Sequence, residues 1–291
     1  MRKIIIFIFL LFSLVVLAVG LKLKSYDMLT QMDLIKTYGL TLKTLYSHRG
    51  LNSVDNKIGT LEGENSVPSF ELAGKNGYQY LETDIYETKD GKFYCIHDDT
   101  TGSYSSQELL VTQATSDRVN QVKLDKIIKN ASVSKEFQDK VYNIPTLETY
   151  LEICKKYNMM PLIEIKTLQN NTTSVDNLIK IAESYTNKFI IFSFNLSYVL
   201  RAKKYNKNLL VSYLTPYEDS ITKDIVDLYA SKGIGVAPYI KRIDKNVCEY
   251  AYNKGYPVII WSIDDKEQYL NEYKNWKVWM FGTNSIKPNE L

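Results

Sequence analysis

The feature that most constrains this chain is the alternation of two kinds of segment that begins near Leu45 and runs to the C-terminus. Short β-rich runs recur as "LYSH", "YLETDIYE", "KFYCIH", "PLIEIK", "FIIFSF", "LLVSYL", "GVAPY", "PVIIWSI" and "VWMFGT". Between the later ones lie helical patterns such as "TLETYLEICKKYN", "SVDNLIKIAESY", "LSYVLRAKKYN", "ITKDIVDLYASKG", "KNVCEYAYNKG" and "KEQYLNEYKNW", several closing on Asn or Gly where a helix C-cap sits. Strand and helix in alternation predict a parallel sheet. Nine strands are one too many for a closed eight-stranded barrel. "YLETDIYE" and "KFYCIH" are separated only by "TKDGK", however, and parallel neighbours need a crossover of about a dozen residues. That pair is therefore expected to be an antiparallel hairpin turning at Asp90-Gly91. Without its return strand, eight remain, and the expected fold is α/β, a (β/α)8 TIM barrel with a hairpin after the second strand.

The N-terminus lies outside this pattern. Arg2 and Lys3 precede an apolar run from Ile4 to Leu21, broken only by Ser13 and Gly20, and Lys22 and Lys24 follow it. A run of this length matches the roughly 17–25 residues a bilayer helix needs. Residues 1–24 are expected to be a transmembrane anchor, or a signal segment if Ala18-Val19-Gly20 is a cleavage site. Residues 25–44 are expected to be a juxtamembrane linker, and residues 45–291 the catalytic barrel. The expected location is the cell membrane, single-pass with the catalytic domain outside, or secreted if the segment is cleaved. Those four basic residues outweigh the formal net charge of +3, so the rest of the chain is slightly acidic. No nucleic-acid surface is implied. Cys95, Cys154 and Cys248 are few, odd in number and widely spaced, which gives neither a disulfide framework nor a zinc site. So little cysteine in an exported chain fits a bacterial surface. Residues 101–143 are polar, with one weak helical pattern at "VKLDKIIKN", and read either as a lid or as a plain loop.

Charge appears on strands that should be apolar. Residues two apart share a strand face, so Glu82 and Asp84 point one way and Thr83 the other. A turn centred on Asp90-Gly91 sets His97 opposite Asp84. "YSHRG" ends the first strand with His48 and Arg49, and "PLIEIK" places Glu164 and Lys166 two apart, leaving Ile163 and Ile165 for the helix-facing side. Burying Glu82, Asp84 and Glu164 together is costly without a cation. A divalent metal relieves that cost, and three carboxylates suit Mg²⁺ or Ca²⁺. The alternative is that the carboxylates pair with Lys166 and Arg49. Asp98 and Asp99 read as turn or capping residues, Asn65 or Ser66 as a helix N-cap, and Trp261 as core.

"SHRG", "ENS", "ETD", "DGKFYCIHD", "IPTLETYL", "IEIK", "VIIWSI" and "FGTN" follow one another in an order that resembles the glycerophosphodiester phosphodiesterase family, from about Tyr46 to Asn284. The resemblance implies a phosphoric diester hydrolase that releases glycerol phosphate and an alcohol from a glycerophosphodiester or lysolipid-like substrate. It implies His48 and His97 as the acid/base pair, Arg49 on the phosphate, Lys166 and Trp261 near the substrate, and Glu82, Asp84 and Glu164 on the metal. The chain departs from the family pattern in four places. "LNSVDNKIGTLEG" is inserted after HRG, no Arg-Thr-Thr follows "HDDT", Asn284 stands where Asp is usual, and Asp264 where Asn is frequent. Alternatives are a related barrel phospholipase of the sphingomyelinase D or phosphatidylinositol phospholipase C kind, a non-catalytic surface binding protein on the same barrel, and a glycosidase. Paired carboxylates on one strand beside two histidines fit a glycosidase poorly.

Overall fold

A computed structural model describes residues 32–53, 63–126 and 141–291. Eight parallel strands form the sheet: β1 (Thr44–Ser47), β2 (Tyr80–Glu87), β4 (Met160–Thr167), β5 (Ile190–Ser193), β6 (Leu210–Leu214), β7 (Gly235–Ala237), β8 (Ile259–Ile260) and β9 (Met280–Thr283). Their spatial order is β7-β6-β5-β4-β2-β1-β9-β8. Parallel bridges from Val236 to Val258 and from Tyr239 to Trp261 bring the two ends together, so the barrel is nearly closed. The ninth strand, β3 (Phe93–Cys95), pairs antiparallel with β2 and stands off the barrel path.

The helices form where the periodicity placed them because their starts are capped. Ser66 accepts from the Ser69 amide at the head of the helix Val67–Lys75, and Thr146, Thr222 and Asp244 do the same for Leu147–Tyr157, Lys223–Ala230 and Lys245–Asn253. A cap of this kind is worth about 1 kcal/mol. Alternation along each strand then sorts the side chains. Ile163 and Ile165 join the layer between strands and helices, whereas Leu162 joins Tyr46, Tyr80, Ile190, Phe192, Leu210 and Met280 inside the barrel. Cys95, Cys154 and Cys248 are free and buried.

Three expectations are corrected. The hairpin register is one residue from that expected: Ile85 pairs with Cys95 and Glu87 with Phe93. Asp84 therefore faces Ile96, whose amide donates to the Asp84 carbonyl at 3.0 Å, and not His97. The cause is a three-residue loop, Lys89-Asp90-Gly91, closed by Thr88 N–H to Lys92 O at 2.8 Å, with Gly91 at φ +80°. A left-handed residue after the turn lengthens the connection by one, and one residue of register exchanges the faces. His97 lies beyond the end of β3 and comes to the barrel mouth from the following loop.

The second correction concerns residues 25–44. The described part of this expected linker begins with a helix at 32–38, whose Leu34, Ile35 and Tyr38 are buried in the barrel's interior cluster. The strands leave an apolar opening at their N-terminal end, and this helix fills it. Third, residues 101–126 are neither a free lid nor a plain loop. Tyr104, Val111, Ala114, Val119, Val122 and Leu124 pack with Tyr86, Tyr94 and Ile96 into a small core of their own over the hairpin. Of "VKLDKIIKN", residues 122–126 are not helical and the remainder lies outside the described residues. The apolar run at 4–21 and most of the insertion after Gly50 lie outside them too. Among the described residues no helix is long and apolar enough to cross a membrane.

Candidate active site

The C-terminal ends of β1, β2 and β4 carry the charge. At the end of β1 the chain turns sharply, with Arg49 at φ +58° and Gly50 at φ +81°. A Cβ on Gly50 would stand 2.4 Å from Ser69 Oγ, so this position requires glycine. The turn aims the Arg49 amide at Glu82, donating to Oε2 at 2.8 Å. It also lays the guanidinium between two carboxylates, with Nη1 3.0 Å from Glu64 Oε2 and Nε 3.2 Å from Asp84 Oδ2. From β4, Lys166 Nζ reaches Glu164 Oε1 at 2.8 Å and Asp84 Oδ1 at 3.3 Å.

Glu82, Asp84 and Glu164 are buried, and each offers an oxygen within 4.8 Å of the other two. Their pairing with Arg49 and Lys166, expected as the alternative to metal binding, is thus present but incomplete. Among the described residues three carboxylates face two cations, and one of those cations is shared with Glu64. Among the described residues Glu82 Oε1 is buried with no hydrogen-bond donor, and Asp84 Oδ1 has only the Lys166 ammonium at 3.3 Å. Burial, with Asp84 and Glu164 alongside, holds the Glu82 carboxyl well above the usual range. Burial and Asp84 push Glu164 up to about 7. Burial pushes Asp84 the same way, but Arg49 and Lys166 outweigh it and hold that carboxylate below its usual value. A set of three buried carboxylates against two cations, with one oxygen left without a donor, fits a hard divalent cation.

The two histidines have different surroundings. His48 Nδ1 lies 3.0 Å from Asn284 Oδ1. The Asn284 amide is oriented by Asp264, whose Oδ2 accepts from Nδ2 at 2.9 Å. Because a carboxylate only accepts, the amide oxygen must face the imidazole, and His48 carries its proton on Nδ1. Nε2 is left as the acceptor. Burial and the adjacent Arg49 lower His48 to about 3, so the ring is neutral. His97 is about one-third exposed, and its Nδ1 lies 2.9 Å from the Asp98 carboxylate. Asp98, read from the sequence as a turn residue, is thus the partner of His97.

His48, Arg49, Glu82, His97, Glu164, Lys166 and Trp261 line one cavity of about 120 Å³, with Tyr46, Phe192, Phe194 and Leu214 on its apolar side. Asp84 lies against this group, fully buried. Trp261 is a wall of the cavity and not a hydrogen-bond donor to it, because its Nε1 already donates to the Ala237 carbonyl at 2.8 Å.

Several residues of the site escaped the sequence reading. Asn65, at φ +51°, donates to Asp84 Oδ2 at 2.8 Å and accepts from Thr83 Oγ1 at 2.7 Å. The helix cap falls to Ser66 alone. Glu64 holds Arg49 and accepts from Tyr104 Oη at 2.9 Å. Asn52 reaches Asn284 Oδ1 at 3.3 Å. The signal for Glu64 and Asn65 was an acid and an amide directly before a helix start. For Asn284 and Asp264 it was a matched exchange of amide and acid at two strand ends.

A family model described as the glycerophosphoryl diester phosphodiesterase family matches residues 48–287. A glycerophosphodiester phosphodiesterase of Caldanaerobacter subterraneus is 27% identical over 207 residues, which cover 70% of this chain and 82% of that protein. Among solved structures, an Oleispira antarctica phosphodiesterase in complex with the product sn-glycerol-3-phosphate has a TM-score of 0.69 at 19% identity, covering 84% of this chain and 93% of that one. A glycerophosphodiester phosphodiesterase from Thermotoga maritima has a TM-score of 0.63 at 18% identity, covering 85% and 96%.

Proposed function

As the chain belongs to the glycerophosphoryl diester phosphodiesterase family and hydrolyses glycerophosphodiesters, we propose that His48 and His97 move the protons and that Glu82, Asp84 and Glu164 hold a divalent ion. The observation that carries this reading is the different setting of the two rings in one cavity, His48 buried against an amide and His97 partly exposed against a carboxylate. His48 Nε2 accepts the proton of the attacking hydroxyl, supplied by water or by a neighbouring hydroxyl of the substrate. His97 gives its proton to the departing alkoxide. Arg49 and Lys166 face the phosphate oxygens as negative charge builds on them. A divalent ion held by the three carboxylates would supply further neutralisation of that charge, and Mg²⁺ or Ca²⁺ matches the oxygen donors. Attack by a substrate hydroxyl gives a cyclic phosphate, which water then opens with the roles exchanged: His97 takes a proton from water and His48 returns its proton to the substrate hydroxyl.

The Asn284–Asp264 pair supplies a direct test. Exchanging the two, Asn284→Asp together with Asp264→Asn, keeps the hydrogen bond between them and moves the carboxylate onto His48 Nδ1. A carboxylate there stabilises the imidazolium and raises its pKa by about 1–3 units. The base works only when neutral, so the acidic limb of the kcat/KM profile should move to higher pH by a similar amount. An unmoved limb in an active double variant would remove His48 from the role of base.

The apolar run at Ile4–Leu21 with its basic flanks supports a proposal on location: the chain is held in a bacterial cell membrane with the barrel outside. Fractionation should then find it in membranes, with the barrel open to external protease. A soluble mature form beginning near Leu21 would show cleavage instead.

A further inference from the structure

The two ends of the barrel differ in charge. Connections from helix to strand gather at the N-terminal end of the sheet, opposite the catalytic groups. They are residues 39–43, 76–79, 158–159, 186–189, 206–209, 231–234, 254–258 and 274–279, and every charged residue in them is a lysine. Lys188, Lys207 and Lys232 precede β5, β6 and β7, and Lys43 precedes β1. Lys254 precedes β8, and Lys274 and Lys277 precede β9. All but Lys43 and Lys188 are exposed. Among the described residues only Lys254 of this set pairs with a carboxylate, Asp227 at 3.3 Å. Helix dipoles favour cations within the last turn, but these lysines lie past the helix ends, where a surface that serves only solubility mixes both signs. The connections at the mouth do mix them, with Glu218, Asp219 and Asp265 beside Lys241 and Arg242.

The chain also enters at the lysine-bearing end. The helix at 32–38 fills the opening there, with Met32 at its start packed against Gly255, next to Lys254. Tyr38 Oη reaches the Asn208 carbonyl at 3.5 Å, next to Lys207. Residues 22–31 separate Met32 from the apolar run at Ile4–Leu21, a reach of at most about 35 Å. A tether of that length keeps the barrel near a bilayer without orienting it, since β2, with 8 residues, spans only about 26 Å. Charge decides which end turns to the lipid. An anionic surface attracts basic groups over about a Debye length, roughly 8 Å at physiological salt, and the N-terminal end presents lysines with no acid among them.

We propose that this lysine-bearing face docks on the anionic headgroups of the bilayer that anchors the chain, so that the catalytic mouth points away from the membrane. The proposal rests on the membrane location given above and goes beyond it, naming the face, the lipid chemistry and the orientation. Phosphodiesters then reach the mouth from the aqueous side, and lipids of the anchoring bilayer lie beneath the opposite end. Zwitterionic lipid does not serve, because its paired charges leave no net field to attract the lysines.

The test uses the full chain in nanodiscs of phosphatidylcholine alone, or of an equal mixture with phosphatidylglycerol, and follows acylation of individual lysines by a water-soluble reagent with mass spectrometry. In the mixed discs Lys207, Lys232 and Lys274 should react about fivefold more slowly or less, the discrimination of one lysine beside an anionic surface. Lys92 at the hairpin tip and Lys241 after β7, both at the mouth end, should react equally in the two discs. High salt should remove the difference. Lys207→Glu with Lys232→Glu and Lys274→Glu should abolish the protection of Lys277 and leave glycerophosphocholine hydrolysis unchanged, which also shows that the variant folds. Equal labelling of the N-terminal face in the two discs, or protection of Lys92 and Lys241 in its place, overturns the proposal. Protection by added polyphosphate but not by phosphatidylglycerol would assign the face to a soluble anionic polymer and overturn it too. A chain recovered outside discs of either kind would overturn the membrane location beneath it, and the labelling, which needs no turnover, stands apart from the phosphodiesterase reading.

Discussion

Asp84→Asn is expected to lower turnover to background and to abolish the thermal stabilisation that Mg²⁺ or Ca²⁺ gives the wild-type protein. Asp84 is the carboxylate held most firmly in its charged form, by Arg49 and Lys166 against the effect of burial. Asn preserves its shape and its acceptance of the Asn65 hydrogen bond, and removes only the charge. Asp84→Ala is the less informative variant, because it also removes the acceptor of the Asn65 hydrogen bond and leaves a void in the buried cluster. EDTA should abolish wild-type turnover, and Mg²⁺ or Ca²⁺ should restore it. Full activity in the chelator would refute the metal assignment.

The same cluster sets a pH dependence for the metal-free protein. Glu164 is raised to about 7, and Glu82 is raised as well. A carboxyl whose pKa is higher folded than unfolded keeps its proton longer in the folded state. Stability therefore falls as pH rises from the ordinary carboxylate range through about 7. A bound cation must displace those protons, so the stabilisation by added metal should grow over the same interval. Denaturant titrations at several pH values, with and without metal, measure both slopes.

His97→Ala is expected to lower kcat by roughly 10²–10⁴-fold, the contribution of one proton-transfer group. Stability should hardly change, because the ring is about one-third exposed and its hydrogen bond goes to Asp98 beside it. His48→Ala should be as damaging, and the double variant little worse, since groups that act together are not additive. A p-nitrophenyl phosphodiester separates the roles. Its leaving group needs no proton, so it should partly rescue His97→Ala and leave His48→Ala inactive. The reverse pattern would exchange the two assignments. Near-normal rates in both single variants would make the histidines structural.

The parts of this protein legible in its sequence are those set by local periodicity. Alternation of strand and helix predicted eight parallel strands and a return strand, because burial on one or two faces imposes its own repeat on each element. The same period puts Glu82 and Asp84 on one face of β2, and Glu164 and Lys166 on one face of β4. The approach of His48, Arg49 and the three acids follows from that, since all sit at the C-terminal ends of neighbouring barrel strands.

Only the tertiary structure decided the rest, for two physical reasons. Register depends on loop conformation at single-residue precision. Gly91 in the left-handed region moved Asp84 opposite Ile96, although the hairpin itself was legible. The surroundings of each site residue are also set by partners that closure of the barrel supplies. Asn284 lies 236 positions from His48, and Asp264 orients it from another strand end. Asn65 reaches Asp84 by leaving the helix register. Tyr104 reaches Glu64 from a segment whose polar composition gave no sign of a packed core. Local pattern says which face a side chain takes; which neighbour it meets there is settled by how the strands close around the barrel.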